Sequence, residues 1–385
     1  MPAHSNLREV PFARPEFDEA ESRAVAEVLA SGWVAQGPQV ARFEELFAER
    51  VGARCGVATT SCTTALHMAL VIAGVGPGDE VICPSYTFIA TANAVLYVGA
   101  TPVFAEIDEC SWNIDAADVL RRVTPRTKAV LLVHQVGLAA DVDAFAPLTA
   151  RGIAVIEDAA CAIGTLYKGR PLGARGNVAC WSFHPRKTIS MGEGGMLTTD
   201  DRALAERARQ LRSFGATVSD HVRHQAKGIV FEEYRELGYN YRMTDLQAAI
   251  GIAQLAKLDR LLARRAAIAR RYDDAFGRTP GVQVPPNTPD APHAYQSYGI
   301  RFLPGLAVDR NAMLAELAQQ GISSRRGIPP IHLEPLYVNR FGRLSLPVTE
   351  QVADRSIFLP IFAALADDDQ SRVIEAVTAI LKRAS

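Results

Sequence analysis

From residue 55 onward, short apolar runs alternate with stretches whose apolar residues recur at helical spacing. The apolar runs predict strands at residues 55–60, 80–84, 102–107, 128–134, 153–157, 178–183 and 195–199. The stretches between them predict helices at residues 65–73, 87–98, 116–123, 142–150 and 201–212, and two more helices, at residues 16–31 and 40–51, come first. Such repeated units indicate an α/β protein with a mainly parallel sheet and helices on both faces.

The remaining chain predicts a second, smaller unit. Thr244 is placed to cap a long helix that runs to about Phe276, and a proline-dense stretch at residues 280–292 then interrupts the pattern. A strand at residues 294–302 and helices at residues 310–320 and 365–383 follow. We therefore predict a large domain over residues 1–278 and a small C-terminal α/β domain over residues 279–385.

The composition is that of an ordinary globular chain. It has 385 residues, of which 48% are hydrophobic and 22% are charged, and its formal net charge is -1. A charge this close to zero gives no electrostatic reason to expect nucleic acid as a partner. The N-terminus lacks an apolar signal core and no apolar run reaches the length of a membrane span, so we expect a cytoplasmic protein without a membrane partner.

Cysteine and histidine patterns give no sign of a metal. The six cysteines are scattered through apolar runs, without the spacing of a zinc site or a compact disulfide framework, and we interpret them as reduced core residues. A long polar segment at residues 215–237 contains His221, His224 and Lys227. Their spacing is not diagnostic and no carboxylate or cysteine partner is obvious, so we predict no metal site.

The most informative stretch joins the strands predicted at residues 178–183 and 195–199. The strand at residues 178–183 carries Ser182 near its end, and a turn rich in proline and glycine then holds Lys187. An isolated lysine in a polar turn is usually a solvated surface residue. The alternative is a nucleophilic lysine that binds a carbonyl cofactor, and for that role we expect Arg186 and the apolar strand to lower the pKa of the amine. The spacing alone does not decide between them.

A second stretch favours the covalent role. Asp158 follows the strand at residues 153–157, and in open parallel sheets ligands bind beyond the carboxyl ends of the strands. Pyridoxal 5'-phosphate needs an amine to carry its aldehyde and a carboxylate to keep its ring nitrogen protonated. Lys187 and Asp158 supply this pair, whereas Asp158 alone is equally typical of a helix N-cap.

Three more polar segments are candidate binding sites. Residues 61–64, SCTT, open a predicted helix, where hydroxyl groups usually act as caps but where free NH groups also suit a phosphate. Trp33 lies in a loop between two glycines, either as a packing anchor or facing a substrate. The basic stretch at residues 323–332 contains Arg326 and His332, and it is either a solvated turn or an arginine pair that binds a carboxylate or phosphate.

The segments SGWVAQGP, EDAACAIG, LGYNYRMTDLQAAIG and SFHPRKTISMGEGGM extend these observations into a family pattern. Together they resemble the DegT/DnrJ/EryC1/StrS family of pyridoxal-phosphate-dependent sugar aminotransferases, over a match that runs in the family's order from about Val10 to the C-terminus. The resemblance implies fold type I of the pyridoxal-phosphate enzymes, which is the fold of aspartate aminotransferase. It also implies a homodimer with shared active sites.

The resemblance assigns roles to individual residues. It implies that Lys187 and Asp158 are catalytic, and that Phe88, which also suits a core position, stacks on the cofactor ring. It places Asn240 and Arg242 in the active site of the neighbouring subunit. The candidates for cofactor binding are Cys62, Thr63, Phe88, Asp158, Cys161, Ser182, Lys187 and Asn240. The candidates for substrate binding are Trp33, Arg242, Arg326 and His332.

Two of these residues depart from the family pattern. Cys62 stands where many relatives carry glycine before the threonine, which bears on how closely the backbone approaches the phosphate. Cys161 stands where many carry histidine or glutamine, which can hydrogen-bond the ring hydroxyl of the cofactor. Because a thiol is a weak donor, the second departure affects the electronic tuning of the ring rather than the covalent link.

The implied function is transfer of an amino group from glutamate or glutamine to a nucleotide-diphosphate-linked keto sugar, typically a 4-keto or 3-keto 6-deoxy sugar. Its product would be an amino sugar for a surface polysaccharide or a glycosylated natural product. One alternative is a sugar dehydratase on the same fold, in which histidine replaces the lysine, so Lys187 argues against it. The other is a non-catalytic regulator, although both catalytic residues are intact and there is no sign of a DNA-reading helix or a basic arm.

Overall fold

The computed structural model describes residues 8–173, 178–218, 231–286 and 291–384. The helices in these ranges are α1 (Glu19–Ser31), α2 (Pro38–Arg50), α3 (Cys62–Ile72), α4 (Ala90–Tyr97), α5 (Ala116–Arg122), α6 (Ala146–Thr149), α7 (Arg202–Leu211), α8 (Asp245–Ala256), α9 (Leu258–Phe276), α10 (Arg310–Gln319), α11 (Pro335–Phe341), α12 (Pro347–Asp354) and α13 (Asp367–Ala384). Short 3-10 helices lie at Gln135–Gly137, Val142–Phe145 and Ile331–Leu333.

The strands are β1 (Cys55–Thr59), β2 (Glu80–Pro84), β3 (Thr101–Ala105), β4 (Thr127–Val133), β5 (Ala154–Asp158), β6 (Leu166–Tyr167), β7 (Arg170–Pro171), β8 (Val178–Ser182), β9 (Gly195–Thr199), β10 (Val282–Gln283), β11 (Tyr298–Phe302), β12 (Arg325–Arg326) and β13 (Ser356–Leu359). Strands β6 and β7 pair only with each other, as an antiparallel hairpin.

Seven strands form a large sheet in the order β1-β9-β8-β5-β4-β2-β3. Strands β3, β2, β4, β5 and β8 are parallel, whereas β9 pairs antiparallel with both β8 and β1. Successive residues of β4 enter different hydrophobic clusters, Val130 and Leu132 in one and Ala129 and Leu131 in the other. Both faces of the sheet are therefore buried, and the predicted α/β class with a mainly parallel sheet is confirmed.

A smaller, antiparallel sheet has the order β10-β11-β13-β12. Its hydrophobic core includes Val10 from the start of the chain and Ile268, Tyr272 and Phe276 from α9. The hydrophobic core around the small sheet contains residues from both sides of the predicted domain boundary between residues 278 and 279. The boundary itself stays a prediction.

Local sequence fixes the helix ends next to the large sheet. Ser61 caps α3, because its hydroxyl accepts from the NH of Thr64 while the Thr64 side chain accepts from the NH of Ser61. Helix α1 ends at Gly32, whose φ of 72° is readily adopted only by glycine. The Trp33 loop begins at this point.

Two predicted elements differ in the structure. The single helix predicted from Thr244 to about Phe276 is wrong, because the chain divides at Lys257 into α8 and α9. The amine of Lys257 binds Asp18 and Glu21 at the start of α1, 2.7 Å from a carboxylate oxygen of each. The strand predicted at residues 294–302 begins only at residue 298, because residues 294 and 297 donate their NH groups to the 3-10 turn after β4 instead.

Candidate active site

Lys187 lies in the turn that joins β8 to β9, at one end of the large sheet. Phe183 closes the base of the turn, since its NH donates to the carbonyl of Gly194 at 2.9 Å and its carbonyl accepts from the NH of Met191 at 3.1 Å. The Lys187 side chain is half-buried, and its Nζ donates a hydrogen bond to Cys161 Sγ at 3.1 Å. The lysine amine is therefore directed at the turn that follows β5.

The pKa of the Lys187 amine is raised above its usual value. Burial is the strongest influence and acts to lower this pKa, but the sulfur atoms of Cys161 and Cys62 and the carboxylate of Asp158 together outweigh it. Arg186 is exposed and is not among these influences. The expected net lowering of the pKa is therefore wrong for the free amine, because the lowering by burial is outweighed by the two sulfur atoms and the Asp158 carboxylate.

Asp158 is the last residue of β5 and is 5% exposed. Thr91 Oγ1 donates to its Oδ2 at 2.8 Å, and the NH of Ala160 donates to its Oδ1 at 3.2 Å. The Cys62 sulfur lies 4.0 Å from Oδ1, and burial followed by the Asp158 charge raises the pKa of the Cys62 thiol well above its usual value. Asp158 is thus an anchored carboxylate beside a neutral thiol, which suits it to hold a cationic ring nitrogen.

The N-terminus of α3 lies against the strand that returns from the lysine turn. Gly195 has no room for a side chain, because a Cβ there would overlap the backbone of Ser61 and Cys62. Gly195 pairs with Ser182 across β9 and β8, so Ser182 lies beside the strand residue that contacts this helix start. The NH groups of Cys62 and Thr63 have no intrahelical acceptor. Free NH groups, the helix dipole and a hydroxyl together suit a phosphate group.

Phe88 precedes α4, the helix that carries Thr91. Its side chain is 73% exposed, which excludes the alternative that Phe88 is a core residue. The Phe88 carbonyl accepts from the NH of Thr91 at 3.1 Å, so Phe88 lies one turn before the residue that binds Asp158. Its ring is accessible to a ligand, and the stacking role stays a prediction.

The Trp33 loop is fastened to the start of α8. Trp33 Nε1 donates to the carbonyl of Gln36 at 3.0 Å, within the loop itself. The buried carboxylate of Asp245 accepts hydrogen bonds from the NH groups at the start of α2, those of Gly37 at 2.8 Å, Val40 at 2.9 Å and Gln39 at 3.1 Å. Sequence reasoning missed Asp245, although the acidic residue directly after the Thr244 cap was visible in the motif. A substrate contact by Trp33 stays a prediction.

The segment before α8 also contacts the residue before the start of α3. The carbonyl of Tyr241 accepts from the NH of Thr60, which directly precedes the α3 cap, at 3.0 Å. Asn240 is exposed, and the guanidinium of Arg242 stacks on the ring of Phe214 at 4.8 Å. The structure describes a single chain, so the predicted placement of Asn240 and Arg242 in a neighbouring active site stays a prediction.

Comparison with known proteins decides the family. A model of the DegT/DnrJ/EryC1/StrS aminotransferase family matches residues 15–378. The chain belongs to this family. Over 380 residues it is 41% identical to the spore coat polysaccharide biosynthesis protein SpsC of Bacillus subtilis, a match that covers 97% of this chain and 98% of SpsC.

Solved structures agree with the family. The aminotransferase TlmJ from Streptoalloteichus hindustanus is 37% identical with a TM-score of 0.89, and the match covers 97% of this chain and 99% of TlmJ. The PLP-form of Spr1654 from Streptococcus pneumoniae, described as a sugar aminotransferase, is 27% identical with a TM-score of 0.90, covering 98% of this chain and 100% of that one. The predicted family and fold type I are therefore confirmed.

In this aminotransferase-family chain, the two candidates from the basic stretch lie in different environments. Arg326 is exposed in β12. His332 is 2% exposed, its Nδ1 lies 2.7 Å from Ser85 Oγ, and its Nε2 lies 3.1 Å from Glu350 Oε1. Both ring nitrogens are therefore engaged by other side chains of the chain, and a substrate contact by His332 stays a prediction. His332 joins Ser85, the residue after β2, to Glu350 in α12.

Besides Asp245, two further side chains of the site went unnoticed in the sequence. Thr91, which binds Asp158, has a weak sequence signal as a hydroxyl residue one helical turn after Phe88. Gln296, which binds the backbone beside Lys187, has none, because it is separated from that turn by 110 residues.

The polar segment considered for a metal site contains His221, His224 and Lys227, and these three residues lie outside the described residues. Within the described ranges, no group of three or more His, Cys, Asp or Glu side chains is arranged to hold a metal ion. None of the helices in the same ranges is long and apolar enough to cross a membrane.

Proposed function

We propose that this chain is a pyridoxal-phosphate-dependent aminotransferase that moves an amino group from glutamate or glutamine to a nucleotide-diphosphate-linked keto sugar. The observation that carries the proposal is that a lysine amine, a buried carboxylate and a helix N-terminus meet at one end of the large sheet. Lys187 and Asp158 are the two catalytic groups, and the influence of the Asp158 charge on the pKa of the Lys187 amine supports this pairing.

The residues present fit the cofactor. The cradle at the start of α3, where a Cβ on Gly195 would intrude, suits its phosphate through the NH groups of Cys62 and Thr63 and the hydroxyl of Ser182. Asp158, anchored by Thr91, suits its ring nitrogen. The exposed ring of Phe88 offers a face for stacking. Bound there, pyridoxal phosphate would supply an aldehyde for covalent attachment and a ring that accepts electrons.

Lys187 then has two tasks. Its amine would hold the cofactor between turnovers and, when free, would act as the general base and acid that moves a proton at the substrate carbon. The hydrogen bond to Cys161 Sγ gives the released amine a resting position 3.1 Å from a sulfur atom. Cys161, which stands where many relatives carry a stronger hydrogen-bonding side chain, would leave the cofactor hydroxyl with a weak partner.

The names of the relatives support a sugar as the acceptor. SpsC is named as a spore coat polysaccharide biosynthesis protein and Spr1654 as a sugar aminotransferase, and both match this chain over nearly its whole length. We propose a 4-keto or 3-keto 6-deoxy sugar as acceptor, with Trp33, Arg242 and the exposed Arg326 among the residues that contact it. The product would be an amino sugar for a surface polysaccharide or a glycosylated natural product.

We further propose that the active unit is a homodimer and that residues 279–385 form the small domain. Asn240 is exposed on a segment that already touches the residue before the α3 cap, which supports a role for this segment across a subunit boundary. Phe214, on which Arg242 stacks, is 49% exposed and offers apolar surface for the same contact.

The first experiment tests the covalent link. The full-length chain, loaded with pyridoxal phosphate and reduced with borohydride, is expected to carry the cofactor on the peptide that contains Lys187 by mass spectrometry. Lys187→Ala should abolish both the trapped adduct and amino transfer, whereas Lys168→Ala, which removes an exposed lysine of the β6–β7 hairpin, should retain both. Undiminished amino transfer by Lys187→Ala would refute the proposal.

The second experiment tests the acceptor. A panel of nucleotide-linked keto sugars is incubated with the loaded protein and glutamate, and the release of 2-oxoglutarate is measured. We expect turnover with at least one 6-deoxy keto sugar. Amination of keto acids, with every sugar in the panel inert, would overturn the sugar assignment and leave the covalent chemistry standing.

A further inference from the structure

Gln296 joins the two residues that flank Lys187. Its Nε2 donates to the carbonyl oxygen of Arg186 at 2.6 Å, and its Oε1 accepts from the hydroxyl of Thr188 at 3.1 Å. Gln296 is 6% exposed and Thr188 is also buried, so these hydrogen bonds have little competition from water. One side chain is thus hydrogen-bonded to the lysine turn on both sides of Lys187.

The segment that carries Gln296 is itself held by the turn after β4. The NH of Ala294 donates to the carbonyl of Gly137 at 2.9 Å. Gly137 has a φ of 102°, and a Cβ there would lie 3.0 Å from the backbone nitrogen of Gln296 and 3.1 Å from the carbonyl oxygen of Cys161. Only glycine lets the Gln296 segment and the Cys161 turn pack this closely.

A buried guanidinium also holds the segment that carries Gln296. Arg265, on α9, donates from Nη1 to the carbonyl oxygens of Tyr295, Gln296 and Ile361, each at 3.2 Å. No carboxylate pairs with Arg265 among the residues that the structure describes, and burial lowers its pKa to about 10. A charge buried without a counterion is costly, which indicates that these carbonyl contacts are what the arginine is placed to make.

We propose that Gln296 is a positioning residue for Lys187, which fixes the turn so that the amine meets the cofactor and the substrate carbon in a productive direction. The inference rests on the proposed function and deepens it. Gln296 precedes β11 by two residues, so the small sheet and the lysine turn are joined through one amide. An amide is the group that serves here, because it donates to a carbonyl and accepts from a hydroxyl at once.

The test uses variants that keep the shape of the side chain and remove its hydrogen bonds. Gln296→Met removes both bonds, and Gln296→Glu keeps the acceptor for Thr188 but sets a carboxylate against the Arg186 carbonyl. Thr188→Val removes one bond, whereas Thr188→Ser retains the hydroxyl. Gln283→Ala is the matched control, since its amide, on β10, binds the backbone carbonyls of Glu109 and Cys110 rather than the lysine turn.

Three readouts separate positioning from folding. They are the rate at which pyridoxal phosphate attaches to the cofactor-stripped full-length chain, the circular dichroism of the attached cofactor band, and kcat against KM for the keto sugar. Because small misplacements of a catalytic group are costly, we expect Gln296→Met and Gln296→Glu to lower attachment rate and kcat about 10- to 100-fold. KM should stay within about two-fold. Thr188→Val should show a smaller loss that Thr188→Ser restores, and Gln283→Ala should match the wild type.

The outcomes are distinguishable. If Gln296→Met lowers the thermal midpoint but leaves the attachment rate, the dichroic band and kcat unchanged, Gln296 is merely structural and the inference is overturned. If Gln296→Met does not fold, the Thr188→Val and Thr188→Ser pair decides, and equal behaviour of the two overturns it. A wild-type chain that never attaches the cofactor at Lys187 would instead refute the proposed function.

Discussion

The two sheets of this protein use polar side chains differently. In the large sheet, Asp158 and Ser182 are the last residues of the parallel strands β5 and β8, and Lys187 follows shortly after. In the small antiparallel sheet, neighbouring strands end at opposite edges. A buried polar residue of this sheet, such as Arg301, makes its hydrogen bonds to other residues of the protein. Parallel strands bring their carboxyl ends to one edge, so only the large sheet can assemble a site there.

The sheets nevertheless share a hydrophobic core. Trp112, which follows β3, packs against Phe358 of β13 with ring centroids 5.8 Å apart. A Cβ at Gly299 in β11 would lie 2.6 Å from the Trp112 ring, so the glycine makes this contact possible. We infer that the large sheet supplies the chemistry, whereas the small sheet supplies stability and, through Gln296, the position of the lysine turn.

The largest predicted effect comes from filling the cradle in the large sheet. In Gly195→Ala, the new methyl group would overlap the backbone of Ser61 and Cys62, and backbone atoms cannot move aside as a flexible side chain does. We expect loss of retained pyridoxal phosphate and a fall of more than about 3 kcal/mol in the free energy of unfolding. Equilibrium dialysis and urea unfolding measure the two. Gly76→Ala, at a glycine with open space around it, is the control and should change neither.

A variant in the small sheet should separate stability from chemistry. Arg301 is 1% exposed, and its Nη1 and Nη2 donate to the carbonyl of Glu109 at 2.9 Å and to Gln351 Oε1 at 3.0 Å. Arg301→Leu removes the hydrogen bonds that a buried, charged guanidinium donates to these two residues, so we expect a loss of about 2 kcal/mol in the free energy of unfolding. Attachment of the cofactor should be unchanged.

The contact of Arg301 with the Glu109 carboxylate contributes only a small part of this free energy of unfolding. Glu109 is 59% exposed at the side chain, and solvent screens its charge. Glu109→Gln should therefore cost less than about 1 kcal/mol in urea unfolding. If Arg301→Leu instead abolished cofactor attachment at unchanged stability, the division of labour between the sheets would be contradicted.

The contrast between the sheets also explains what the sequence revealed. Asp158 and Lys187 were predictable because each comes after an apolar run that predicts a strand. The carboxyl ends of parallel strands lie at the same edge of the sheet, where ligands bind. The α/β class followed from the same alternation. These features depend on local pattern and on a rule of sheet topology.

The features that escaped depend on contacts between distant segments. His332 lies in a basic, proline-rich stretch that looks solvated, and its burial depends on Ser85, 247 residues earlier, and on Glu350. The break at Lys257 depends on acidic partners in the first helix. Gln296 is ordinary in sequence, and its role arises because the tertiary fold places it against the lysine turn.

A histidine beside the Gln296 segment gives an effect that appears only as the pH falls. His293 Nδ1 accepts from the NH of Tyr295 at 2.7 Å, and burial lowers the pKa of His293 to about 3. A histidine in an unfolded chain has a pKa of about 6.5, so between these values the unfolded state binds the proton and the folded state does not. Stability is therefore complete above about pH 6.5 and is lost as the pH falls toward 3.

From pH 7 to pH 5 this loss amounts to about 2 kcal/mol in the free energy of unfolding. His293→Asn, which keeps an acceptor for the NH of Tyr295 but does not titrate, should remove that part of the pH dependence in urea unfolding. Cofactor attachment at pH 7 should stay the same. An unchanged slope in the variant would show that His293 is protonated in the folded protein, and a changed attachment rate would show that the Gln296 segment transmits more than stability.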